Sequence, residues 1–125
     1  MKKKFCAILV AAMVAASPFT ALANSSTSGS PITGIQSWGQ LSYVATYARG
    51  TTQISAAGYV YVGVTAYCLG DTARKTNFAS ATDNLLAEAT AYNYAATQVV
   101  GAKGSHIATY GWNSWSGSTI LGTTW

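Results

Sequence analysis

The one histidine of this 125-residue chain, His106, stands next to Ser105. A hydrolytic triad needs an imidazole within reach of a hydroxyl nucleophile and an orienting carboxylate. Neighbours on a strand point to opposite faces, so Ser105 and His106 cannot act as that pair. A serine from elsewhere would have to approach in three dimensions. The expectation is a cross-strand or surface histidine with a hydrogen-bond partner. Asp83 and Glu88 are the nearest pair of acids, five positions apart. That spacing puts them on opposite faces of a strand and roughly 140° apart on a helix. A glycosidase needs two carboxyl groups facing one sugar bond, so Asp71 would have to join from another element. Cys68 shares an alternation with Val60, Val62 and Val64. A thiol on such a face is a small buried hydrophobe with a raised pKa rather than a nucleophile. One histidine and Cys68 fall short of the three or four ligands of a zinc site. No enzyme, metal or cofactor is expected.

The aromatic residues carry the stronger signal. The run Tyr110-Gly111-Trp112-Asn113-Ser114-Trp115-Ser116-Gly117 places two indoles beside amide and hydroxyl groups. Such a loop suits a sugar ring or a protein partner, because aromatic side chains offer large contact area and a polar edge. Tyr110, Trp112, Asn113 and Trp115 are therefore the candidate ligand-binding residues, with Trp112 and Trp115 expected at the surface. The competing expectation is that several rings fill a core in which Leu and Ile are scarce.

Other segments set where these residues work. Lys2, Lys3 and Lys4 precede an uncharged apolar run, and Ala21-Leu22-Ala23 has the small-x-small pattern of a signal-peptidase site. Residues 1–23 read as a cleavable secretory signal, too short in its apolar part for a stable membrane anchor. Cleavage before Asn24 leaves 102 residues, one domain. Arg49, Arg74, Lys75 and Lys103 then face Asp71, Asp83 and Glu88, one net positive charge. Four scattered cations make no phosphate-binding stripe, so nucleic acid is excluded as a partner. Cys6 leaves with the signal, so Cys68 has no intramolecular partner for a disulfide. No second apolar stretch is long enough for a membrane span after cleavage. The protein is expected outside the cell, released or associated with the cell surface.

Residues 24–34 (NSSTSGSPITG) read as a flexible Ser/Gly-rich linker, with the folded domain over 35–125. Residues 41–48 alternate with a period of two, a strand ended by a turn at Arg49-Gly50-Thr51-Thr52. The run YVYVGVTAYCL over 59–69 is the strongest strand. Val60, Val62, Val64, Ala66 and Cys68 form its core face, and Tyr59, Tyr61, Gly63, Thr65 and Tyr67 its outer face. Its charge-free stretch suits a central buried strand; on an edge it would template assembly. Residues 71–84 read as a loop or short edge strand. Residues 83–100 fit a strand better than a helix. Residues 101–104 read as a turn with Lys103 at its tip, 105–112 as a strand, 113–117 as a turn, and 118–125 as a last strand. The sum is an all-β fold: a small antiparallel β-sandwich, Ig-like or similar, with a small β-barrel as the alternative.

A Lys-rich signal before a Thr/Ser/Tyr-rich β domain resembles many small secreted proteins of Gram-positive bacteria. The segment from Ser42-Tyr43 to Tyr47, the following Gly50, the stretch Lys103-Gly104-Ser105-His106 with Ala108, and the terminal Trp125 are weakly similar to lactococcin-type bacteriocins. The resemblance implies a secreted β-sandwich that binds a cell-wall precursor and blocks septum formation, with no catalytic residue. The expected role is a secreted, non-catalytic interaction module that binds cell-wall glycan or a surface protein through surface Tyr and Trp. A bacteriocin-like growth inhibitor and a self-assembling extracellular subunit are the alternatives.

Overall fold

The computed structural model describes residues 23–70, 74–93 and 97–125. The first 22 residues, which hold nearly all of the expected signal, lie outside the described residues, as do Asp71 and Tyr94. Six strands make one antiparallel sheet: β1 Ala23–Ile32, β2 Ile35–Val44, β3 Tyr47–Cys68, β4 Lys75–Tyr92, β5 Val99–Tyr110 and β6 Asn113–Gly122. No helix occurs among the described residues. The path runs β1-β2-β3-β5-β6, with β4 on the other side of β3.

Strand β3 organises the fold. Its first part pairs with β2 from Tyr47 to Ile54, and its second part with β5 from Tyr59 to Cys68. Strand β4 follows β3 on both parts, with register shifts between Gln53, Gly58 and Val60. Opposite those shifts Asp83 has a φ of 53°. A bulge of this kind bends a strand and increases its twist, and here it folds the long β3–β4 hairpin over on itself. A Cβ at Gly50 would lie 2.7 Å from Cγ2 of Val64, so the two parts of β3 face each other. Both ends of β3 reach one rim, where Cys68 pairs with Val99 while the Val99 amide donates to the Ala45 carbonyl at 2.9 Å.

The core is narrow. Leu41, Ala48, Ile54, Val60, Val62, Val64, Ala66, Cys68, Ala87, Ala89, Ala91, Val99, Ala102 and Ala108 line it, mostly small side chains that let the walls approach closely. Strands β1 and β6 meet on the far side: the Trp115 indole lies where a side chain at Gly29 would be, and Thr27 packs against Gly117. The sheet is therefore nearly a barrel.

The all-β, antiparallel expectation holds, as does the strand over the first part of 83–100; Val60, Val62, Val64, Ala66 and Cys68 are buried as expected, but Tyr67 of the expected outer face is buried as well, under Trp125. Several boundaries differ. Residues 24–34 are not a flexible linker; most of them form β1, in register with β2 from Ala23↔Tyr43 to Gly29↔Ser37. Arg49 to Thr52 lie inside β3 and Gly101 to Gly104 inside β5, so neither is a turn. The 41–48 alternation runs across a real turn at Ala45-Thr46. Of the two readings for 71–84, the edge strand is the one seen from Lys75 onward, but as part of an 18-residue β4 paired with β3 rather than a short piece. Residues 113–117 begin β6 rather than making a turn. In most of these cases a glycine read as a chain reversal is instead an inward position. A Cβ at Gly50 or Gly104 would land on the Val64 side chain or the Thr119 hydroxyl. Glycine marks close backbone approach as well as turns.

Candidate functional site

His106 is 1 % exposed and points into the core from β5. Its Nδ1 is 2.9 Å from the Thr52 hydroxyl on β3, and its Nε2 is 2.8 Å from the Thr119 hydroxyl on β6. The ring rests against Gly39 of β2, where no larger residue fits. Burial pushes its pKa from 6.5 down to about 4, partly offset by a hydrogen bond with the Thr51 backbone. At neutral pH the imidazole is uncharged, with one nitrogen donating and the other accepting. It ties three strands together and has no nitrogen left for a substrate. Ser105, its neighbour, is exposed on the opposite face.

The acids do not form a pair either. Glu88 lies on the outer face with Oε1 3.8 Å from Nε of Arg49, while Asp83 occupies the bend in β4. Cys68 is fully buried among core residues. Among the described residues no three of His, Cys, Asp and Glu come together to hold a metal ion. No helix among the described residues is long and apolar enough to cross a membrane.

The four candidate binding residues separate. Tyr110 and Asn113 pair at the end of the β5–β6 hairpin, leaving Gly111 and Trp112 as a two-residue turn. Gly111 has a φ of 62°, which fits the type II′ geometry with glycine first. A hydroxyl pair between Thr109 and Ser114, 2.8 Å apart, braces the hairpin below the turn. Trp112 is 101 % exposed at the apex and Tyr110 39 %. Asn113 is also exposed. Trp115 does not join them. As an odd-numbered β6 residue it turns inward over Gly29 and packs against the core. Of the two indoles expected at the surface, Trp112 is wholly exposed and Trp115 is half-buried against the core.

Below the apex, the outer face of β4, β3, β5 and β6 shows a group of residues that the sequence did not bring together. Register sets them in rows: Phe78, Gly63, Ser105 and Ser118, then Thr76, Thr65, Lys103 and Ile120. The Tyr61 ring lies along the sheet over Gly63, its hydroxyl 2.9 Å from where a Cβ would be, and stacks on Phe78 at 6.3 Å and 28°. Phe78 is 70 % exposed. At the far end Tyr67 is covered by Trp125, with ring centroids 4.9 Å apart and edge-on. Arg74 and Lys103 approach the same Tyr67 ring to 5.8 and 5.6 Å, good cation–π distances. Lys103 at the tip of a turn and Arg74 in a loop gave no sign of converging. Only the β3–β5 register and the path of β4 along β3 place them on either side of one tyrosine.

The described residues present exposed rings, hydroxyls and two cations on the outer face of the sheet, with the His106 imidazole enclosed in the core. Comparison of the chain with protein families, with curated proteins and with solved structures finds no match.

Proposed function

We propose that the protein is an exported, non-catalytic binding module that holds cell-wall glycan through exposed aromatic side chains. The observation that carries this reading is Trp112, wholly exposed on a two-residue turn that the Tyr110–Asn113 pair fixes in place. A free indole on a rigid support contributes large contact area with little conformational entropy to lose. Tyr110 and Asn113 beside it supply hydrogen-bonding groups. The leader-like sequence of residues 1–23 supports export, and a protein whose N-terminus begins at Asn24 in the culture medium would agree with it. For the architecture we favour a sandwich over a closed barrel. In its support, β1 and β6 touch through side chains, and no ladder between them occurs among the described residues.

The test is co-sedimentation of the purified protein with Gram-positive cell-wall sacculi, wild type against Trp112→Ala. Wild type in the pellet and the variant in the supernatant is the expected result. Wild type left in the supernatant, or a variant that pellets equally well, overturns the reading. If the pelleting protein also slows growth of the strain that supplied the walls, the bacteriocin alternative gains support.

A further inference from the structure

We propose that the outer face of β4, β3, β5 and β6 binds an acidic polysaccharide, with sugar rings on the Tyr61–Phe78 platform and carboxylates on Arg74 and Lys103. This deepens the wall-glycan reading and rests on it. Three features of the face select this ligand class.

The first is the platform. Because Gly63 has no side chain, the hydroxyl end of the Tyr61 ring reaches over it, and Phe78 stacks beside that ring with most of its surface open. Two exposed rings stacked on one another suit the apolar face of a pyranose better than an extended peptide, which would seek an edge strand or a side-chain pocket. The second is the surrounding chemistry. Ser80, Ser105, Ser116 and Ser118 are all exposed around the rings, short hydroxyl groups that donate and accept with sugar hydroxyls. The third is charge. Arg74, just before β4, and Lys103 on β5 converge on Tyr67 from either side of it. Among the described residues neither has a carboxylate partner, whereas Arg49 on the other part of β3 has Glu88. Among the described residues the cations Arg74 and Lys103 lie at this end of the sheet, whereas Asp83 and Glu88 lie at the bend and on the other part of β4.

Lys103 sits opposite Thr65, and Ile107 opposite Tyr61, four residues along the same strand. That separation is about 13 Å, more than one monosaccharide spans, so the ligand is an oligomer or polymer.

The experiment titrates the purified protein with polygalacturonate, neutral dextran and poly-glutamate at low and moderate salt. Polygalacturonate is expected to bind best, and more weakly as salt screens the cations. Lys103→Gln and Arg74→Gln should each weaken it roughly two- to fivefold at low salt, the size of one exposed ion pair. Lys103→Arg should restore it, which separates loss of charge from disturbance of Tyr67. Phe78→Ser should weaken polygalacturonate binding without affecting poly-glutamate. Poly-glutamate binding as well as polygalacturonate would reduce the face to a charge detector and overturn the proposal, as would no polygalacturonate binding at low salt. Sacculi held through Trp112 by a protein that ignores polygalacturonate would sink this assignment alone. A protein that pellets with neither sinks both readings.

Discussion

Acidification should release the His106 clamp. In the folded protein the buried ring takes up a proton only near pH 4, whereas an exposed histidine does so near 6.5. Between these values the unfolded chain carries one more proton than the folded one, so stability falls as the pH falls. The contribution is complete above about pH 6.5, shrinks through that window, and is gone near pH 4, where both states are charged. Each unit is ~1.4 kcal/mol, so the span from 6.5 to about 4 is worth about 3 kcal/mol. The structural cause is visible at the ring. One threonine hydroxyl donates to the neutral imidazole, and a second ring proton would force that hydroxyl to turn away in a space closed by Gly39. With a urea slope of ~1–3 kcal/mol/M, the unfolding midpoint should drop by roughly 1–3 M between pH 7 and pH 4. Urea unfolding followed by tryptophan fluorescence at several pH values measures this directly. His106→Gln supplies the control, since its amide cannot titrate and its profile should lack the drop. A flat wild-type midpoint across the window, or the same drop in His106→Gln, would refute the argument.

Gly39→Ala should lower stability by about 1–3 kcal/mol, because the new methyl group meets a ring held on both sides; a thermal melt checks it. The two hairpin tryptophans should behave oppositely. Trp112→Ala should leave the melting curve within ~0.5 kcal/mol of wild type, as an exposed substitution does. Trp115→Ala should cost toward the lower end of the ~3–5 kcal/mol known for buried indoles, since its ring is partly covered and seals the contact with Gly29.

Alternation made the strands legible. Val60, Val62, Val64, Ala66 and Cys68 are buried as their spacing requires, and His106 and Ala108 share the inward side of β5. Turn positions were less legible because glycine has two uses. Gly111 and Gly34 reverse the chain with positive φ, but Gly39 and Gly50 lie within strands where opposite walls nearly touch, and Gly104 makes room for the His106 ring and the Thr119 hydroxyl beside it. Nothing local to Gly50 announces that Val64, fourteen positions on, will occupy its side-chain space. The same limit applies to the binding face. The Trp112 apex is a local turn, readable from Tyr110-Gly111-Trp112-Asn113. Tyr61 with Phe78, or Arg74 with Lys103, are neighbours only through strand register. The inward turn of Trp115 follows from β6 beginning at Asn113, two residues before it.

The meeting of β1 with β6 has a consequence for the order in which the chain folds. The β5–β6 hairpin and the β2–β3 turn close over a few residues and form early, since short loops cost little entropy to close. Thr27 and Gly117, by contrast, stand about ninety residues apart in sequence yet touch in the native state. Contacts of such separation are the slow ones. A late intermediate therefore carries β1 and β6 as two open edges, neither bearing a single charged residue to discourage a wrong partner. Pro31, which cannot donate to a ladder, and the irregularity after Gly29 are what β1 has to blunt that edge. Aggregation during refolding should accordingly depend on these two terminal strands far more than on the central strand β3.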